Sequence, residues 1–403
     1  MAVFDADSPP ALTFMRVLGR AGVPVHVYSH SRLPAARLSR FARTFRRCPD
    51  TRDYARFGDW LRREVRADRI GLVAPTSDVV AFHLSEIATE ATDFMRRAMP
   101  EAEAARDVLF KDRFEATCVR LGVATPRTMA PRSLDEVRDA AGSFRYPVVV
   151  KPRSHVGFED VRGGIASGPE QLIATYGSFE ASPRAARVLE RHPELRLPIV
   201  QEYVPGAAAN LYSVSGFLAE DGSCLAALAS RKGAPWPSLL GVGTIFEPCR
   251  DLELVSFGVD IARRILGRGL FELELIREPG GRLLAIDLNA RAYGQIRFDV
   301  ARGSNTPLLW YRTVTRRTPE PNGPDDPDLL WLNAIPYHVG QLVGLLRGPH
   351  RRARLRTYSR SLAHRHVDIV HDAGDPLASL LFDLRMLRHP GGLVRPFLQA
   401  PRV

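Results

Sequence analysis

Along the first hundred residues, apolar and polar positions follow two rhythms. Residues 2–5 and 23–28 are short apolar runs that read as strands, and residues 11–21 between them carry a helical repeat. Residues 54–67 are amphipathic and are followed by the apolar run 70–74, which ends in Pro75-Thr-Ser-Asp78. Strands alternating with helices predict a small parallel sheet covered by helices, an α/β, Rossmann-like arrangement over residues 1–105. The loops at 5–9 and 76–78 either lie at the carboxyl edge, where such sheets bind ligands, or act only as turns and helix caps.

The rhythm then changes. Residues 111–121 read as a helix ended by Gly122 and followed by Pro126. Residues 146–151 form an apolar strand closed by a lysine, and a glycine-bearing stretch, 157–164, comes next. A further strand, 198–204, stops at Pro205-Gly206. Two strand-like runs within 211–231 flank Glu220-Asp-Gly222, a hairpin signal. A helix-like stretch, 254–266, leads into a second hairpin, 271–289. Residues 319–328, rich in Pro, Asp and Gly, read as a linker. Beyond them, 329–403 is arginine-rich and helix-like, without a recognisable motif.

The second hairpin carries the sharpest pattern. With Gly280-Gly281 as a two-residue turn, Glu274 stands opposite Asp287 and Glu272 opposite Asn289. Side chains alternate along a strand, so all four point to one face. The other face would hold Phe271, Leu273, Leu275, Leu284, Ile286 and Leu288. Two opposed carboxylates at ~5 Å repel by roughly 3 kcal/mol at an effective dielectric near 20. A sheet gains nothing from that pairing unless a cation lies between them. Oxygen-only ligands favour a hard ion such as Mg²⁺, shared with nucleotide phosphates.

Composition changes the picture in three places. The formal charge of +11 suits a nucleic acid, an anionic membrane surface or a polyanionic substrate such as ATP. No zinc-finger spacing, RNP-like motif or helix-turn-helix supports the first, and no nucleic-acid partner is expected. Four scattered cysteines without CxxC spacing, an acidic start and no long apolar run predict a cytoplasmic chain. Finally, only three of the 56 basic residues are lysine: Lys111, Lys151 and Lys232. A chain written in arginine keeps lysine where a compact ammonium is needed.

On these residues the chain resembles the ATP-grasp superfamily, in particular its carboxylate–amine ligases. Glu274 followed by Asp287-Leu-Asn289-Ala-Arg291 is similar to the family's metal motif, which implies Glu274, Asp287 and Asn289 as Mg²⁺ ligands, with Mn²⁺ as a substitute. Asp287 stands where glutamate is commoner, which leaves one or two metal ions open. Lys111, before Gly122-Val-Ala-Thr-Pro126, and Lys151, ending Tyr-Pro-Val-Val-Val-Lys, resemble the family's nucleotide lysines. The resemblance makes His155, Gly157 and their neighbours to 164 a loop that closes on phosphates through backbone N–H groups. It makes Gln201, Glu202, Tyr203 and Val204 the adenine hinge and Asn210 the one polar candidate for the ribose.

Ser230-Arg-Lys232-Gly233, followed by Leu240-Gly-Val-Gly243, resembles a basic hairpin end facing phosphate or substrate. Arg291 would hold the acyl-phosphate or substrate carboxylate, with Tyr293 and Gln295 lining that pocket. The implied architecture is a Rossmann-like domain (1–105), an ATP-grasp domain (106–318) and a linker with a basic, mainly helical extension (319–403). The implied reaction is phosphorylation of a carboxylate by ATP and capture of the acyl-phosphate by an amine, the substrates being amino acids or peptides and the protein a homodimer. A carboxylase or kinase, a non-catalytic ATP-binding module, and membrane-surface attachment through residues 377–398 are the alternatives.

Overall fold

The structure, a computed structural model, describes residues 1–158, 161, 163–179, 183–236, 242–347 and 351–388. Its first sheet is parallel and contains β1 (Ala2–Val3), β2 (Val25–Ser29) and β3 (Ala42–Arg47) in that order. On the other side of β1, Ala2 pairs with Val73 as an isolated parallel bridge. The apolar run 70–74 thus joins the sheet by one rung and not as a full strand. β3 is hard to see in the sequence because Arg43, Arg46 and Arg47 break its alternation. The helix Pro9–Arg20 starts at Ser8, whose hydroxyl accepts the Ala11 N–H at 3.3 Å. The helix Tyr54–Arg66 is capped in the same way by Asp53.

The second sheet holds β4 (Thr128–Met129), β5 (Val148–Lys151), β6 (Gly164–Ala166) and β7 (Ile199–Glu202), in the order β4-β7-β5-β6. Three buried valines precede the lysine that ends β5. The third sheet is built on β8 (Leu211–Leu218), β9 (Cys224–Trp236), β10 (Val242–Cys249), β11 (Gly269–Arg277) and β12 (Leu283–Asn289). It is extended by β13 (Leu330–Leu332) and β14 (His366–Asp368) to the order β12-β11-β8-β9-β10-β13-β14. Lys232 therefore sits inside the long strand β9, not at a hairpin end; Leu240 and Gly241 of the stretch expected beside it lie outside the described residues.

The hairpin of β11 and β12 keeps the expected register where it matters. Glu272 pairs with Asn289 and Glu274 with Asp287. The turn is one residue longer than expected: the Glu278 N–H donates to the Arg282 carbonyl, and Gly281 occupies the left-handed region at φ 84°. A bulge after Glu274 absorbs the difference, so Leu275 pairs with Ala285. The same shift corrects the predicted apolar face. Ala285, not Ile286, joins Phe271, Leu273, Leu275 and Leu288 in the core, while Ile286 and Leu284 pack with Val204 and Ile276.

The C-terminal region adds three helices, Ala334–Arg347, Arg351–Ala363 and Pro376–Arg388, together with two strands that helical patterning does not reveal. β13 and β14 are three residues each and form only by joining the third sheet. One apolar core runs through the N-terminal sheet and on to Tyr293, Trp310, Val370 and Ala378. Arg16 and Asp375, both buried, join the helix Pro9–Arg20 to the C-terminal region at 2.8 Å.

Candidate functional site

All three lysines and the polar face of the β11–β12 hairpin meet in one place. Lys111 opens the helix Lys111–Arg120, and its N–H donates to the carbonyl of Arg153 at 2.7 Å. The buried Arg153 guanidinium in turn donates to Asp112 at 2.7 Å and to the Leu197 carbonyl at 2.9 Å. This knot pins the helix start to the exit of β5 and so brings Lys111 towards Lys151.

Lys111 Nζ lies 2.7 Å from Asp287 Oδ2, and Lys232 Nζ lies 3.2 and 3.3 Å from the two oxygens of Glu274. Among the described residues, the Lys151 ammonium makes no hydrogen bond or ion pair. Burial pulls its ammonium down to about 8, with Lys111 pushing the same way and Asp287 and Glu274 opposing. Burial would also raise Asp287, but Lys111 and Lys151 hold its carboxyl below the usual range. Lys232 runs the other way: burial pulls it down, yet Glu274 and Glu272 keep it above an ordinary lysine.

Arg291 does not reach into open space. Its Nε and Nη2 donate to the two oxygens of Asp78 at 2.8 and 3.0 Å, and Nη2 also donates to Asn289 Oδ1 at 2.9 Å. Asn289 Nδ2 then donates to Glu272 at 3.1 Å, and Gln295 donates to the other oxygen of Glu272. Glu272 is buried, and desolvation together with Glu274 raises its carboxyl to about 7. Tyr293, expected to line a pocket, is fully buried and bonded to Asp299.

Asp78 was outside the expected set of site residues. It opens the helix Asp78–Glu86, which Ser77 caps, and the Ser77 hydroxyl donates to Asp5, two residues beyond β1. The Ala292 N–H donates to the Pro75 carbonyl at 2.8 Å, tying the hairpin exit to the same loop. The sequence signal was the loop position of 76–78 at the carboxyl edge of the first sheet. A contact spanning 213 residues gives no other.

The nucleotide wall expected from the sequence is less uniform. Val204 is buried against Ile276 and Leu284, with Ala124, Leu211 and Ile286 around them, an apolar patch fit to receive a flat ring. Gln201 is bonded to Thr128 at 2.9 Å. Glu202 is exposed and accepts weakly from the Arg127 N–H at 3.4 Å, and Tyr203 is half-buried. Asn210 donates to its own turn at Gly206, 3.2 Å away.

The loop after β5 departs from expectation. Val156 and Phe158 are buried beside Tyr54, Phe82 and Phe110, and the Gly157 N–H donates to the Tyr54 hydroxyl at 2.8 Å. These anchors hold the start of the loop, and the Gly157 N–H is engaged by the Tyr54 hydroxyl. The His155 imidazole is held below the ordinary histidine value, first by desolvation and then by Lys111. Of the rest of this loop, residues 159, 160 and 162 lie outside the described residues.

Among the described residues no three His, Cys, Asp or Glu side chains form a self-sufficient metal cluster. Glu274, Asp287 and Asn289 nevertheless share one face of paired strands and offer only oxygen and amide donors. That donor chemistry fits a hard divalent ion that takes its other ligands from phosphates. A groove of about 520 Å³ opens elsewhere, lined by Asp53, Arg184, Arg187 and Glu190, and shares no residue with this cluster.

No family model matches the sequence, and comparison with curated proteins finds no match. Solved structures do match the fold. The biotin carboxylase domain dimer of Hydrogenobacter thermophilus 2-oxoglutarate carboxylase, in complex with MgADP, ADP and bicarbonate, is 15% identical with a TM-score of 0.60, over 79% of this chain and 71% of that one. An ADP complex of purK, N5-carboxyaminoimidazole ribonucleotide synthetase, is 10% identical with a TM-score of 0.61, over 86% and 84%. Phosphoribosylglycinamide synthetase from Anaerococcus prevotii is 16% identical with a TM-score of 0.55, over 79% and 75%.

Proposed function

The chain has the ATP-grasp fold, and from that premise we propose that it is an ATP- and Mg²⁺-dependent ligase that phosphorylates a small carboxylate and joins it to an amine. Lys151 carries this reading. It is a lysine at the end of a buried strand, in a chain that nearly always uses arginine, and among the described residues it has no anionic partner. An ammonium desolvated in this way is stabilised by a polyphosphate.

Glu274, Asp287 and Asn289 would hold the divalent ion, Mg²⁺ or Mn²⁺, which when bound neutralises phosphate charge. Lys111 and Lys151 bind and orient the polyphosphate, and the apolar patch around Val204 receives the adenine. Reaction then needs positioning and charge stabilisation more than covalent help from the protein. A substrate carboxylate oxygen attacks the γ-phosphorus and the bond to ADP breaks, giving an acyl-phosphate. The amine attacks the acyl carbon, phosphate leaves with its oxygen, and the amine gives up a proton. Arg291 fixes Asn289 through its hold on Asp78. It is not available to clamp an amino-acid or peptide carboxylate as the sequence suggested, and the substrates are put no more narrowly than small carboxylate and amine. The proposed division is a Rossmann-like part (1–105), an ATP-binding part (106–318) and a linker with a C-terminal extension (319–403).

A second reading, with bicarbonate as phosphoryl acceptor, draws support from that engagement of Arg291 and from the bicarbonate in one solved structure of this fold. ADP release separates the two. It is measured with Mg-ATP and bicarbonate alone, and with a panel of carboxylates with and without amines. Dependence on both carboxylate and amine supports the ligase; release with bicarbonate alone supports the carboxylase. ATP turnover by Asp287→Asn equal to that of the parent protein would remove the metal assignment.

A further inference from the structure

The C-terminal helices present a surface that the ATP site does not use. Ala334–Arg347 and Arg351–Ala363 pack on each other and against the third sheet through Tyr337, Tyr358 and Ser361. The Tyr337 hydroxyl lies 2.6 Å from that of Ser361, and the Tyr358 hydroxyl lies 3.0 Å from His338 Nδ1. With that inner side occupied, four leucines stay in solvent: Leu342 at 53%, Leu346 at 73%, Leu355 at 55% and Leu362 at 49% exposed. Leu342 and Leu346, four apart, share one face of their helix, and exposed apolar side chains that share a face mark interaction surfaces.

Charge selects the occupant. The helix Arg351–Ala363 contains no acidic residue. Arg352, Arg356 and Arg360, spaced four apart, follow one line along it, while Leu355 and Leu362, one seven-residue repeat apart, follow another. All three arginines are exposed, and among the described residues none pairs with a carboxylate. We propose that this pair of helices docks on an anionic phospholipid surface, the leucines entering the headgroup boundary and the arginines meeting lipid phosphates and carboxylates. Leu355 and Leu362 beside the arginine line combine the apolar and cationic contacts on which interfacial binding draws. Nucleic acid would use the arginines and leave the leucines wet. A second copy of the chain would use the leucines but oppose like charges. No described helix is long and apolar enough to cross a bilayer, so the contact is peripheral.

Co-sedimentation of the full chain tests this, with phosphatidylcholine vesicles and with vesicles containing about 30% phosphatidylserine. The protein should pellet with the anionic vesicles, be released as salt rises from about 0.1 M to about 0.5 M, and ignore the neutral ones. The triple variant Arg352→Ala, Arg356→Ala, Arg360→Ala should bind on the order of 100-fold more weakly, since each arginine contributes about five-fold. Leu342→Ser with Leu346→Ser should weaken the binding that persists in salt. Mg-ATP turnover and circular dichroism should match the parent protein in both variants, because these side chains are exposed and make no contact with Lys111, Lys151 or Lys232. Equal binding to neutral vesicles, binding to neither, or a concentration-dependent dimer abolished by the leucine changes would each overturn the proposal.

Discussion

At the scale of single residues, the site is a set of charges each defined by its neighbour, with one exception. Lys151 is held at about 8 against 10.5 for a free lysine. Between those two values the unfolded chain binds more protons than the folded one, so stability rises with pH across that window, and below it the buried charge burdens the fold. Replacing the ammonium should relieve that burden and remove function together. Lys151→Met is expected to melt about 2 °C or more above the parent at neutral pH, while ADP release falls by about 10²–10³. Differential scanning calorimetry and a coupled ADP assay check both; a variant that retains turnover contradicts the phosphate role. Asp78 has the opposite linkage. Burial would raise it, but Arg291 outweighs burial and holds it at about 2 against 3.8. Its contribution is therefore present above about pH 4 and is lost as pH falls towards 2. Asp78→Asn should cost about 2–3 kcal/mol at neutral pH, read from urea midpoints, with the gap narrowing through that acid window.

At the scale of elements, the β11–β12 hairpin shows both the reach of the sequence and its limit. Period-two alternation placed Glu274 against Asp287 because a strand has only two faces. The bulge after Glu274 was hidden, since Gly280-Gly281 is equally at home in a two-residue turn and in the longer loop observed. Only Gly281 carries a positive φ, and a methyl group added to either glycine would meet nothing within 4 Å. Gly281→Ala should thus lower stability by about 1 kcal/mol through backbone strain alone, with Gly280→Ala close to neutral; equal denaturation midpoints for the two would contradict the turn described. The anchored start of the loop after β5 was illegible for a different reason. Glycine signals freedom locally, but Val156 and Phe158 find their apolar partners far earlier in the chain, in Tyr54 and Phe82. Phe158→Ala should raise KM for ATP by loosening that anchorage, in steady-state kinetics at fixed Mg²⁺, and leave the Lys111–Asp287 pairing intact. β13 and β14 were illegible because three residues cannot show a period, and the Asp78–Arg291 pair because nothing local marks it.

At the scale of the whole molecule, the C-terminal region completes other parts of the protein. Two of its strands lengthen the third sheet, and Asp375 accepts from Arg16 with both side chains 2% exposed. Removing one member leaves a buried charge alone, so Arg16→Met should destabilise by about 3–5 kcal/mol, measured by chemical denaturation; a loss within error would show that the pair is dispensable. Arg16 also donates to Ser379 at 3.0 Å, which adds a second tie to the same helix. Arg16 and Asp375 stand 359 positions apart in the sequence. The tie between them closes a loop of that length, so its entropic cost falls due before the contact rewards it, and the pair is expected to form late in folding.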